Sequence, residues 1–150
     1  MFDSWLRSPV VAVVREALGP AANQADRVIV VGDAGLAKAL IAAGHASRAA
    51  AVSARAAKHL PALVEGTANA LDLATDSLTA VIGVGAGGVD GTARVAEWVR
   101  TVAPGGRVVL VDRCAPAQAS ARALCAGLGE IEQRVSGRTV VTSGIVPVSM

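Results

Sequence analysis

Tyrosine is absent from this 150-residue chain, phenylalanine occurs once, and aromatic residues make up 2% of it. Base-stacking platforms need several such rings, so the chain offers little for a single-stranded nucleic acid to lie on. Charge is sparse too: Asp, Glu, Lys and Arg account for 17%, and the net charge is +2. The arginines are scattered rather than gathered in a stripe, which excludes a phosphate-backbone partner as an expectation.

Cysteine is nearly missing. Cys114 and Cys125 stand without CxxC spacing or a neighbouring histidine, so zinc and redox-pair chemistry are not expected and buried, reduced thiols are. His45 and His59 accompany no GxSxG or other nucleophile motif and read as solvated residues at helix ends. No long hydrophobic run occurs: Val10-Val11-Ala12-Val13-Val14 is too short to span a bilayer, and acidic Asp3 precedes it where a signal peptide would be basic. A cytoplasmic protein with no membrane span, no metal and no nucleic-acid partner is expected.

What the chain does have is apolar mass, with 53% hydrophobic residues and a mean hydropathy of +0.51. Soluble monomers seldom expose large apolar patches, so a homodimer or a protein partner is expected to cover part of the surface. The length fits one domain with a substantial core.

The most informative feature is the strand-like Arg27-Val28-Ile29-Val30-Val31, which breaks directly into Gly32-Asp33-Ala34-Gly35 and then into a helical Leu36-Ala37-Lys38-Ala39-Leu40-Ile41. Strand, small-residue turn and helix in that order form the corner where phosphates and nucleosides dock in parallel sheets. A dinucleotide fingerprint wants glycine at the first, third and sixth turn positions, whereas this turn supplies Gly32, Ala34 and Ala37. Before it, Pro9 opens and Gly19-Pro20 closes an amphipathic helix with Val10, Val13, Val14 and Ala17 on one face. After it come a short strand over 48–52, a helical turn over 54–60 ended by Pro61, a weak strand over 67–70, and a buried strand over 78–84. The loop from Gly85 to Gly91 leads into a helix striped by Val95, Trp98, Val99 and Val102, which Pro104-Gly105-Gly106 is expected to end before a strand over 107–111. A helix with Ala121, Leu124, Cys125 and Leu128 on one face follows, and two strands joined at Ser136-Gly137-Arg138 close the chain. Alternating strands and helices imply a parallel three-layer arrangement to which the closing hairpin adds an antiparallel member.

Two stretches carry a resemblance. Gly66 to Ile82 is similar to the "GDAxxLPFxDxSFDxVI" stretch of class I S-adenosylmethionine-dependent methyltransferases, and Val95 to Leu110, through Pro104-Gly105-Gly106, looks like the helix and "L-K-P-G-G-x-hydrophobic" segment of that family. From about Asp26 onward the order of elements resembles it as well. The resemblance implies an α/β, Rossmann-like three-layer sandwich: a mostly parallel seven-stranded sheet with an antiparallel C-terminal hairpin strand. It divides the chain into an N-terminal amphipathic helix and linker over 1–25 and a methyltransferase-like domain over 26–150.

The implied cofactor is S-adenosylmethionine, and the implied cofactor-facing positions are Gly32, Asp33, Ala34 and Gly35 of the first turn, Ser53 after the second strand, Thr67 and Ala68 in the third segment, and Val84 and Gly85 after the fourth strand. No catalytic residue is identified. The acidic residue that this family carries at the end of the first strand falls on Val30, the ribose-gripping carboxylate on Ser53 and the adenine-facing Asp on Thr67. A carboxylate offers two acceptor oxygens to a pair of ribose hydroxyls, whereas serine offers one short hydroxyl. Each such loss costs on the order of 1.5–3 kcal/mol. The expectation is therefore a methyltransferase-fold protein with a degraded site, binding no cofactor and acting through protein–protein contact. The alternative is an active methyltransferase on a macromolecular substrate, with Asp33 or Asp112 replacing the missing acids.

Overall fold

The computed structural model describes residues 9–52, 54–58, 60, 62–85 and 91–148. The elements in chain order are α1 (Pro9–Leu18), two 3₁₀ turns (Gly19–Asn23 and Ala25–Arg27), β1 (Val28–Val31), α2 (Ala34–Ala42), β2 (Arg48–Ala50) and α3 (Ala54–Ala57). Then come β3 (Leu63–Val64), β4 (Gly66–Thr67), β5 (Ala70–Leu71), β6 (Leu78–Val84), α4 (Gly91–Thr101), β7 (Val102–Asp112), α5 (Pro116–Cys125), β8 (Gly129–Ser136) and β9 (Thr139–Ile145).

Seven strands form one sheet in the order β3-β2-β1-β6-β7-β9-β8. The first five run parallel, with Val28 to Val31 opposite Ala80 to Gly83, while β9 pairs antiparallel with both β7 and β8. Strand β1 lies at the centre with all four residues buried, because helices cover both faces of a parallel sheet. Its side chains alternate between two cores. Val28 and Val30 join Val14, Ala17 and Leu18 of α1 and Leu36 and Leu40 of α2, whereas Ile29 and Val31 join Val95 and Trp98 of α4 and Ala123 of α5. Arg107 donates from β7 to the Ala17 carbonyl at 3.2 Å, fixing the end of α1 over the first core.

The third sheet strand is Leu63–Val64, not the expected 67–70. Only Ala49↔Leu63 and Ala50↔Val64 pair with β2, too short a run to show a period. Gly66, at φ +104, then turns the chain into a separate β4–β5 hairpin, so 67–70 belongs to another sheet. Pro104-Gly105-Gly106 lies inside β7 rather than before it. Leu78 pairs with Val102 and Ala80 with Arg107, so the extra residues form an irregularity spanned by Val146, which donates to Gly106 while accepting from Gly105.

Helix α5 buries Ala119 and Ala123, while Leu124 is 64% exposed and Cys125 is exposed. The expected Leu124/Cys125 face is thus rotated outward, since two alanines four residues apart give a flat seat against the sheet that larger side chains would hold off. Both cysteines are free, but neither is buried: Cys114 is half-buried. The short side chain lets the sulfur stay near the surface without exposing much apolar area. No helix among the described residues is long and apolar enough to cross a membrane.

Candidate functional site

Strand order reverses between β1 and β6, because β1 leads to β2 on one side while β6 and β7 lie on the other. At such a switch point the loops leaving the carboxyl ends diverge and open a crevice. Gly32 stands at its floor. Its φ is +94, its N–H donates to the Ala50 carbonyl at 3.0 Å, and a Cβ there would lie 2.7 Å from the Val84 carbonyl oxygen. Only glycine satisfies both the left-handed backbone and that approach.

Asp33 follows in an extended conformation at φ −142 and caps α2: its Oδ1 accepts from the Leu36 N–H at 2.8 Å. Ala34 and Gly35 form the first helical turn. Across the crevice, Val84 ends β6 and Gly85, at φ +75, donates to the Val111 carbonyl at 3.3 Å. Asp112, 6% exposed, ends β7 one strand farther out. Ser53 lies outside the described residues, as do His59 and 86–90 of the following loop.

Thr67 and Ala68 sit at the tip of the β4–β5 hairpin, and α4 holds that hairpin in place. The Trp98 indole N–H donates to the Ala68 carbonyl at 3.1 Å, and Arg94 donates from Nε to Asn69 Oδ1 and from Nη1 to the Gly85 carbonyl, both at 3.0 Å. Arg94 thereby ties the hairpin to the end of β6. One turn on, Glu97 Oε2 accepts the Leu71 N–H at 2.7 Å while Arg100 donates to Glu97, to Thr75 Oγ1 and to the Leu71 carbonyl. The Arg100 hydrogen bond holds the Glu97 carboxyl below its ordinary value of 4.5, against the opposing effect of burial.

The structure therefore brings Gly32 against Val84 and, through Arg94, joins the Thr67–Ala68 hairpin to Gly85. Sequence reading missed Asn69, Arg94, Glu97 and Arg100. Their signal was present as a polar row at positions 94, 97 and 100, one helical turn apart and beside the apolar Val95/Trp98 stripe. No group of three or more His, Cys, Asp or Glu able to hold a metal occurs among the described residues.

No protein-family model matches the chain, and no curated protein does. Solved structures do. A proposed S-adenosyl-L-methionine-dependent methyltransferase from Methanococcus maripaludis aligns with a TM-score of 0.76 at 11% identity, over 100% of this chain and 89% of that one. The fold is that of the class I S-adenosylmethionine-dependent methyltransferases. A chain from the complex between the Haloferax volcanii Trm112 methyltransferase activator and a proposed methyltransferase aligns at 0.66 and 16% identity, over 98% of each chain. The [4+2]-cyclase SpnF aligns at 0.73 and 13% identity, over 93% of this chain and 80% of its own. One architecture thus carries more than one chemistry, and the site must decide between them.

Val30 is fully buried in the apolar core beneath the turn, and Asp33 caps α2 through Oδ1. Thr67 is an exposed, short hydroxyl.

Proposed function

We propose that this chain is a methyltransferase-fold protein whose nucleoside crevice has lost its grip on S-adenosylmethionine and which works by associating with another protein chain. The observation that carries this reading is the Asp33–Leu36 hydrogen bond. The acid of the turn already has a structural task, and its φ of −142 aims it along the helix start. Gly32, Asp33, Ala34, Gly35, Ser53, Thr67, Ala68, Val84 and Gly85 are the positions a nucleoside would meet, and the one carboxylate among them, Asp33, spends Oδ1 on the Leu36 N–H. The unit responsible is the domain over 26–150, with α1 of the N-terminal segment 1–25 as its cover, in a cytoplasmic setting. A relative in fold that is found with an activator protein supports association as a use of this architecture.

Isothermal titration of the purified chain with S-adenosylmethionine and S-adenosylhomocysteine tests the reading. The expected result is no measurable heat of binding. Micromolar affinity for either ligand overturns it.

A second reading, an active methyltransferase, is favoured by Gly32. Its close approach to Val84 keeps the main-chain shape of a nucleoside-binding turn, and backbone N–H groups alone can cradle a ligand. Radiolabelled methyl transfer from S-adenosylmethionine to protein or RNA fractions, abolished by Gly32→Val, would establish that reading.

A further inference from the structure

Strand β8 forms one edge of the sheet, with β9 as its pairing partner. Such an edge presents main-chain N–H and C=O groups to any incoming strand, and proteins usually blunt it. Here the blunting is confined to one end. Glu130, at φ +48, lies in a bulge between Gly129 and Glu132, after which Glu132 to Ser136 stay in register with Ser143 to Thr139. The two-residue turn Gly137-Arg138 makes Ser136↔Thr139 a hydrogen-bonded pair, so Val135 and Gln133 fall on alternate pairs and direct their main-chain groups outward.

We propose that this edge pairs antiparallel with β8 of a second copy of the chain, about a two-fold axis through Gln133. Ile131-Glu132-Gln133-Arg134-Val135 is complementary to itself when reversed. Glu132 meets Arg134 of the second copy, Ile131 meets Val135, and each contact occurs twice, as an isologous interface requires. The backbone selects the same centre. Gln133 opposite its copy makes a hydrogen-bonded pair, and Glu132 opposite Arg134 falls on the closer, non-hydrogen-bonded pair, where side chains interact best. Centring the axis on residue 132 or 134 instead sets like charges face to face.

Two further observations fit this partner. Val135 is 62% exposed, and in the pair Ile131 of the second copy covers it. Arg134 reaches Glu16 with Nε at 3.5 Å and Glu132 with Nη2 at 3.3 Å, while its Nη1 is buried without an acceptor among the described residues. In the pair, Glu132 of the second copy adds a third carboxylate beside this guanidinium.

The inference rests on the association half of the proposed function and is independent of the state of the nucleoside crevice. Sedimentation velocity over a dilution series tests it. The wild-type chain is expected to dimerise with concentration. Glu132→Arg and Arg134→Glu, each creating two like-charge pairs, are each expected to weaken self-association about 10-fold or more. Mixing the two variants restores a dimer between them, and a chain carrying both substitutions dimerises like wild type. A wild-type chain that stays monomeric throughout overturns this edge, whereas the proposed function falls separately, on cofactor binding in the titration. A wild-type dimer indifferent to both substitutions overturns the edge alone. Variants that lose the dimer but regain it neither by mixing nor by the double exchange overturn the charge pairing.

Discussion

The indole ring of Trp98 fills the volume that a Cβ on Gly83 would occupy. Both residues are buried, Trp98 in the core between the sheet and α4, and Trp98 also holds the Ala68 carbonyl. Gly83→Ala therefore drives a methyl into a ring that is itself pinned by a hydrogen bond. The expected cost is about 3 kcal/mol, at the upper end for an overpacked core, read from the urea midpoint. In a Trp98→Leu background the same substitution should cost much less, so the double-mutant cycle shows strong coupling.

Asp33 provides a sharper test of role. As a helix cap it should lose about 1 kcal/mol on conversion to Ala, and almost nothing on conversion to Asn, which caps as well. Thermal melts of the two variants check this. If the carboxylate served a ligand instead, Asp33→Asn would leave stability intact and change the titration with S-adenosylmethionine.

Acid stability should depend on Glu97. Its folded pKa is lowered, chiefly by the Arg100 hydrogen bond, so its contribution is present above the unfolded value near 4.5 and fades as pH falls through the lower folded one. Glu97→Gln should cost about 1 kcal/mol at neutral pH. The difference from wild type should shrink below pH 4.5, as protonation of Glu97 removes the charge that glutamine lacks at every pH. Denaturation midpoints across that range measure the effect.

Native-state alkylation should separate the two thiols. Cys125 is exposed and Cys114 half-buried beside Arg122, so Cys125 reacts first and Cys125→Ser removes the fast phase. Mass spectrometry of a quenched time course, without denaturant, shows which residue is labelled.

Much of the architecture was legible in the sequence because its long elements obey one period each. Leu78 to Val84 is an apolar run broken only by Thr79, which a strand covered on both faces can use, and the terminal hairpin announces itself at Gly137. The β3 strand was not legible, since two residues carry no period and their placement depends on partners fourteen positions earlier in β2. The face of α5 was misread for a different reason. Leucine and cysteine suggest burial by their chemistry, yet the space over β8 and β9 admits only Ala119 and Ala123. At the crevice, the turn glycine could be read directly, whereas the Arg94–Asn69 bridge joins residues 25 apart and emerges only when α4 and the hairpin are folded together.

Gly32 has a wider consequence. Its neighbour is the oxygen of Val84, a piece of the protein's own backbone, so selection for folding alone would keep that residue unsubstituted in a lineage that had abandoned the nucleoside long ago. A lone glycine of this kind is accounted for by two strands lying close together, so a nucleoside above them has to be demonstrated by binding itself.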